Sequence, residues 1–111
     1  MERTIKPEVL KEQLTARTDI MLLDVRRASD LAADPSSIPG AVWRDPEKVA
    51  DWSKDLPKDR PLVVYCVRGG SVSNAVLDSL KDKGVTAQYI EGGLAAWKAA
   101  GNNTEKLKNG A

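Results

Sequence analysis

The residues best suited to chemistry form one short segment, which begins at the chain's single cysteine, Cys66. The apolar run before it, residues 61–65, predicts a buried strand, and residues 72–83 after it predict a helix. Backbone N–H groups in a loop between a strand and a helix can converge on one point, and the helix dipole adds positive potential there. Such surroundings favour a thiolate, and the same donors would hold a persulfide anion or a substrate oxyanion.

The residue types that follow Cys66 suit an anionic ligand. Gly69 and Gly70 permit φ > 0 and a close approach of the backbone to a ligand, and Arg68 adds a permanent cation. Ser73 and a second serine in the first helical turn could contribute hydroxyl donors. The predicted substrate-binding loop comprises Val67, Arg68, Gly69, Gly70, Ser71 and Val72.

Three structural interpretations compete with a nucleophilic Cys66. The cysteine could be a small buried hydrophobe at the end of a core strand, since cysteine is often buried. It could lie by chance in an anion-binding loop, or the glycines could serve only a tight turn. We favour the nucleophile because a structural strand end does not need a Gly-Gly pair flanked by Arg68 and Ser71.

The composition excludes several classes of site and partner. One cysteine and no histidine rule out an internal disulfide, a Cys/His zinc site, a Cys–His pair and a Ser-His-Asp triad. We therefore expect neither a metal nor an organic cofactor. Seventeen Lys and Arg are interspersed with sixteen Asp and Glu, a net charge of +1, so no nucleic-acid partner is predicted.

The hydropathy pattern predicts no membrane partner. The longest apolar runs, residues 20–23 and 62–67, are far too short to cross a bilayer. The first residues contain no apolar core of signal-peptide length. We therefore expect a cytoplasmic protein.

The elements that must position Cys66 alternate between strand and helix, which predicts an α/β domain with a mainly parallel sheet. In such sheets, ligands bind at the carboxyl ends of the strands, where Cys66 lies. The predicted strands cover residues 20–25, a brief segment up to Trp43, 61–65 and 86–90. The predicted helices cover residues 7–17, 27–33, a segment begun by Asp45 and Pro46, 72–83 and 93–100, and residues 102–111 form a frayed polar tail.

The helix after the loop should bury one face. Its apolar spacing predicts that Val72, Ala75, Val76 and Leu80 face inward, with Ser79 a further candidate, and that Gly84 ends the helix.

Asp24 and Arg26 are predicted to support the site. Asp24 lies near the carboxyl end of the first long apolar run, where its carboxylate could order the neighbouring loop or pair with an arginine. The alternative is that Asp24 caps the following helix. Arg26 and Arg27 could line the mouth of a pocket or form exposed ion pairs, and the surface is the simpler place for at least one of them.

Four segments in series resemble signatures of the rhodanese family: residues 23–26, 38–41, 63–66 with the loop after Cys66, and 89–97. They follow the family's order and spacing from about residue 5 to residue 101. The resemblance implies a single rhodanese domain over residues 1–101, with a five-stranded sheet flanked by helices on both faces. It also implies transfer of sulfur from a donor such as thiosulfate to cyanide or a thiol, through a persulfide on Cys66.

The loop length separates activities within this resemblance. A six-residue loop is similar to that of the family's sulfurtransferases, whereas related phosphatases and arsenate reductases have a seventh residue, an arginine. Here the sixth residue is Ser71 and the seventh is Val72, which counts against phosphatase chemistry. An alternative with the same Cys66 is a sulfur carrier or interaction module that relays a persulfide between proteins with little small-molecule turnover.

Two positions depart from the family's pattern. Many members have a Gly-His pair where this chain has Ser36 and Ser37, which we interpret as a change in a structural turn. Some members that use thiosulfate have two basic residues directly after the cysteine, whereas this chain has Val67 and Arg68 and keeps one of the two charges.

Overall fold

The computed structural model describes residues 3–16 and 19–106, which build an α/β domain around one parallel sheet. Its five strands are ordered β1 (Thr4–Ile5), β6 (Gln88–Ile90), β5 (Leu62–Tyr65), β2 (Met21–Asp24) and β4 (Val42–Trp43). Every neighbouring pair in this order is parallel. The α/β class with a five-stranded sheet is thereby confirmed.

Helices connect the strands: α1 (Pro7–Thr15), α2 (Ala28–Ala33), α3 (Val49–Trp52), α4 (Ser71–Asp82) and α5 (Gly93–Ala99). Two short 3₁₀ turns, Pro46–Lys48 and Ser53–Asp55, flank α3. Within residues 3–16 and 19–106, no helix is long and apolar enough to cross a membrane. Arg17, which we expected to end the first helix, lies outside the described residues.

The sheet separates two apolar cores because successive side chains of a strand point to opposite faces. Val63 and Tyr65 of β5 pack in one core with residues of α1 and α5, including Leu10 and Trp97. Leu62 and Val64 pack in the other core with residues of α3 and α4. All four residues of β5 are buried, as expected of a central strand covered by helices on both faces.

The inward face of α4 differs from the prediction. Its buried residues are Ser73, Val76, Leu77 and Leu80, while Ala75 is exposed and Val72 and Ser79 are half-buried. The helix is therefore rotated toward Leu77 relative to the expected orientation.

Residues 102–106 after α5 pack against the domain, so the prediction of a frayed tail is wrong for them. Strand β7 (Glu105–Lys106) pairs antiparallel with β3 (Ser36–Ser37) in a second, two-stranded sheet. The indole nitrogen of Trp97 donates to the carbonyl of Asn103 at 2.8 Å. The two serines that replace the family's Gly-His pair thus lie in this small sheet.

Candidate active site

Cys66 lies directly after β5, at the carboxyl end of the central strand, and α4 begins five residues later. Its neighbour Tyr65 pairs with Asp24 in the sheet, so the thiol and the carboxylate belong to the same edge. The cysteine is only 5% exposed. It therefore lies at the base of the loop formed by residues 66–70, beneath the surface.

The turn between β6 and α5 holds the start of this loop. The carbonyl of Cys66 accepts a hydrogen bond from the Leu94 nitrogen at 2.9 Å, and the carbonyl of Val67 accepts one from the Ala95 nitrogen at 3.0 Å. Two consecutive carbonyls of the loop are thus bound by the first turn of one helix. The path of the backbone around Cys66 is set by α5 as well as by its own strand.

Gly93 allows this contact because no side chain separates the two backbones. A Cβ atom on Gly93 would lie 2.5 Å from the Cys66 carbonyl oxygen and 2.7 Å from the Gly69 nitrogen. Gly69 meets the same turn from the other side, since its Cβ would lie 2.8 Å from the Ile90 carbonyl oxygen. Gly93 thus brings the start of α5 directly against the backbone of the loop.

The two glycines of the loop have different conformations. Gly69 uses the positive φ that glycine permits, with φ = +67°, whereas Gly70 has φ = −99°. The carbonyl of Gly70 accepts hydrogen bonds from the backbone and the side-chain nitrogens of Asn74, at 3.2 and 3.1 Å. Sequence reasoning did not single out Asn74, whose side chain also reaches the Tyr89 hydroxyl at 3.3 Å.

The sulfur of Cys66 faces the first turn of α4. The hydroxyl of Ser73, which is completely buried, donates to Cys66 Sγ at 3.0 Å. The first N–H groups of any α-helix lack partners within the helix and carry partial positive charge. The end of α4 that approaches the sulfur is therefore the end that favours an anion.

Two exposed arginines lie near the loop. Arg68 belongs to the loop itself, and Arg27 immediately precedes α2. Arg27 lines a cavity of about 520 Å³ together with Ser71 and Val72 of the loop and with Ala75 of α4. Arg27 thus lines a cavity beside the start of α4.

Arg26 is buried and pairs with Asp24. The Arg26 Nη2 lies 2.7 Å from Asp24 Oδ2, its Nε contacts both carboxylate oxygens, and its backbone nitrogen donates to Oδ1 at 3.0 Å. The side chains of Asp24 and Arg26 are 0% and 1% exposed. Burial opposes the charge of Arg26, but the hydrogen bonds and the charge of Asp24 outweigh it and raise the pKa of Arg26. The pairing expected for Asp24 is confirmed.

The same arginine holds the segment that follows α2. Arg26 Nη1 donates to the carbonyl of Asp34 at 2.7 Å, and Nη2 donates to that of Ser36 at 2.9 Å. Its own carbonyl accepts from the indole nitrogen of Trp43. Asp24 does not cap α2, whose N-cap is Arg27 without a side-chain hydrogen bond. The Asp24–Arg26 pair therefore fixes the backbone on one side of the loop rather than reaching into it.

Tyr65 completes this polar layer, and sequence reasoning missed its role. Its hydroxyl accepts a hydrogen bond from the Ile38 nitrogen at 3.1 Å, and the whole residue is buried. Burial, and next the negative charge of Asp24, raise the pKa of Tyr65 far above its ordinary value. The residue therefore stays neutral in the folded protein.

This shift predicts a loss of stability in alkali. Tyr65 ionises in the unfolded chain near pH 10 but not in the folded protein. Its contribution to the free energy of unfolding is therefore complete below about pH 10 and falls by about 1.4 kcal/mol per pH unit above that. Tyr65→Phe should be about 1–3 kcal/mol less stable at about pH 9, because the Ile38 N–H loses its acceptor. The difference from the wild type should shrink by about pH 11. Urea unfolding at both pH values measures it, and a difference independent of pH would contradict the assignment.

Comparisons with known proteins agree with this geometry. The rhodanese-like domain family model matches residues 6–100. The thiosulfate sulfurtransferase GlpE of Coxiella burnetii is 30% identical over 98 residues, covering 87% of this chain and 89% of that protein. A rhodanese-like domain protein from Staphylococcus aureus has a crystal structure that superposes with a TM-score of 0.81 at 26% identity, covering 97% of this chain and 100% of that one.

A third similarity is confined to part of a larger protein. A tRNA sulfurtransferase of Desulfurococcus amylolyticus is 35% identical over 81 residues, which is 73% of this chain but 15% of that protein. The chain thus spans a small part of that relative and nearly all of the GlpE protein. Together the relatives support a sulfurtransferase role in general terms. On the family match and the fold, the chain belongs to the rhodanese-like domain family.

Proposed function

We propose that the chain is a sulfurtransferase that carries a sulfane sulfur as a persulfide on Cys66. The observation that carries this proposal is the position of the thiol: its sulfur lies at the carboxyl end of β5, faces the first turn of α4 and accepts a hydrogen bond from Ser73. A site with donors aimed at the sulfur stabilises negative charge there before the reaction and after it.

The reaction has two steps, each a displacement at sulfur. In the first, the Cys66 thiolate attacks the outer sulfur of a donor such as thiosulfate, an S–S bond forms, and sulfite leaves with the electron pair of the bond that breaks. In the second, cyanide or a thiolate attacks the outer sulfur of the persulfide. The Cys66 thiolate then leaves, and thiocyanate or a new persulfide is released. Neither step needs a proton donor or a redox partner.

Binding of the outer sulfur and attraction of the donor are assigned to the loop and to two nearby arginines. We assign the binding of the outer sulfur to the backbone N–H groups of the loop, which comprises Val67, Arg68, Gly69, Gly70, Ser71 and Val72. Arg68 and Arg27, both exposed, supply positive charge near the loop and attract an anionic donor. Counted from Cys66, the seventh residue is Val72, so the chain lacks the arginine with which a longer loop would bind phosphate. This supports sulfur transfer over phosphate ester hydrolysis.

The test is the intact mass of the purified protein before and after treatment with thiosulfate. We expect a gain of about 32 Da, one sulfur atom, that thiol reductants or cyanide remove, since a nucleophilic cysteine forms a covalent intermediate. Cys66→Ala, which removes only the sulfur, should show no gain. A gain of the same size in Cys66→Ala would contradict the proposal.

A wild-type protein that gains no mass from thiosulfate should next be tested with a persulfide donor such as glutathione persulfide. A gain there would assign the chain to the sulfur-relay alternative, in which Cys66 takes sulfur from a thiol-borne persulfide. The absence of a gain with both donors would overturn the persulfide chemistry altogether.

A further inference from the structure

Ser73 is the polar side chain that touches the sulfur of Cys66. Its hydroxyl lies 3.0 Å from Sγ, and the residue is 0% exposed, so water does not compete for this hydrogen bond. It belongs to the buried face of α4, beside Val76 and Leu77, which sets the direction of its side chain. A buried serine in the first turn of a helix can also bond to the helix backbone, but here it is aimed at the thiol.

We infer that Ser73 is a second catalytic residue, which stabilises the Cys66 thiolate when it leaves and so promotes release of the sulfur to the acceptor. The inference rests on the proposed function and deepens it. Its basis is the change of charge on Sγ during the cycle.

The charge on Sγ differs between the two forms of the enzyme. In the form that attacks the donor or leaves the persulfide, Sγ is a thiolate and carries the negative charge. In the persulfide, Sγ is bonded to a second sulfur, and the charge lies on that outer atom. A hydrogen bond from Ser73 to Sγ is therefore stronger in the free thiolate, because a donor gains more from an ionised acceptor than from a neutral one. It favours the step in which Cys66 is the leaving group.

The same bond has two opposing effects on loading. It stabilises the thiolate relative to the thiol, but a stabilised thiolate is a weaker nucleophile. Removing the bond should therefore slow loading at low pH, where the thiolate is scarce, and accelerate loading at high pH, where all of Cys66 is ionised. A change of sign with pH is not expected from a general disturbance of the loop.

The experiment compares the wild type with Ser73→Ala in three measurements. The pH midpoint for alkylation of Cys66 by iodoacetamide, followed by mass, should rise by about one unit. Loading by thiosulfate should be roughly threefold slower below both midpoints and roughly threefold faster above them. Release of sulfur from the preloaded persulfide to cyanide should be slower in Ser73→Ala at each pH.

The matched control is Ser53→Ala. Ser53 is also buried, at 3% exposed, and its hydroxyl has no hydrogen-bond partner among residues 3–16 and 19–106. It lies in the 3₁₀ turn after α3, so its replacement should leave all three measurements unchanged. Alanine favours a helix, so Ser73→Ala should fold, and thermal unfolding of both variants checks this.

Two results would overturn the inference. One is an unchanged alkylation midpoint in Ser73→Ala, and the other is loading slowed by the same factor at every pH. The alkylation measurement needs no sulfur donor, so it tests Ser73 even if the wild type forms no persulfide. Failure of this inference and failure of the proposed function can thus be distinguished.

Discussion

Replacing Asp24 by asparagine is expected to lower the free energy of unfolding by about 3–5 kcal/mol, because the substitution leaves the charge of Arg26 buried without its counter-ion. Arg26 is 1% exposed, so the guanidinium cannot reach water without a rearrangement of the fold. For a domain of this size the loss corresponds to a decrease in Tm of roughly 15–25 °C. Chemical unfolding in urea, at a pH near neutrality, measures it.

Asp19 provides a matched control for this prediction. It forms an ion pair with Arg60 at 2.9 Å, but its side chain is 77% exposed. Asp19→Asn should therefore cost about 1 kcal/mol or less. If Asp24→Asn were no more destabilising than Asp19→Asn, the buried pair would not be the structural element described here.

A double-mutant cycle separates the pair from its surroundings. Arg26→Met alone removes the donor to Asp24 and to the carbonyls of Asp34 and Ser36, so it should also be strongly destabilising. The variant that combines Asp24→Asn with Arg26→Met should lose less free energy of unfolding than the two single variants lose together, since no buried charge remains. If the loss in the double variant equalled the sum of the two single losses, the two side chains would not interact.

Gly93→Ala is expected to disable sulfur loading while the fold is retained at reduced stability. The added Cβ would lie 2.5 Å from the Cys66 carbonyl oxygen and 2.7 Å from that of Val67, and backbone atoms cannot rotate away as a flexible side chain would. The loop has to shift, and a displacement of about 1 Å at a reacting atom reduces the rate by about 100-fold. Reactions with thiosulfate that are quenched at successive times, with the persulfide fraction determined by intact mass, measure the loading rate.

The control for Gly93→Ala is Gly101→Ala. Gly101 has φ = +81°, similar in sign to the +63° of Gly93, but a Cβ at Gly101 has nothing within 4 Å. In both variants, alanine in the left-handed conformation lowers the free energy of unfolding by about 1–2 kcal/mol. Only Gly93→Ala adds a steric clash, which costs about 1–3 kcal/mol more. Equal loading rates in the two variants would show that the contact between α5 and the loop does not position Cys66.

The parts of the fold with strong local patterns were predictable. The apolar runs that form β2 and β5 predicted strands covered on both faces. The order of strand, loop and helix predicted the position of Cys66. Asp45 and Pro46 likewise marked the start of the turn before α3, where the Asp45 side chain accepts from the Glu47 nitrogen. These features depend on residues close together in the chain.

Elements defined by distant partners were not predictable. Strand β1 has two residues and exists because it pairs with β6, and the pairing of β7 with β3 joins residues about seventy positions apart. The start of the penultimate strand, Gln88 instead of Thr86, is likewise set by its neighbours. Strand pairing between remote short segments leaves little trace in local hydrophobic periodicity.

The candidate site likewise has features that the sequence predicts and features that it does not. The position of Cys66 at the carboxyl end of a central strand followed from residue types, as did the freedom of Gly69 to adopt a positive φ. The burial of Arg26 could not, because arginine is rarely buried, although the spacing Asp24-x-Arg26 is the signal that a carboxylate lies two residues away. The rotation of α4 that directs Ser73 to Cys66 depends on packing of Leu77 against the sheet, whereas the apolar spacing favoured a face that omits Leu77.

The depth of Cys66 also limits what can reach it. With 5% of the residue exposed, the sulfur is accessible to a slender reagent and inaccessible to the broad face of another protein. A disulfide requires two cysteine Cα atoms within about 7 Å of each other, and burial of both thiols opposes such an approach between two copies of the chain. We therefore expect the chain to resist oxidative cross-linking to itself. If it exchanges sulfur with another protein as proposed, we expect that protein to present its own thiol at the tip of a protruding segment.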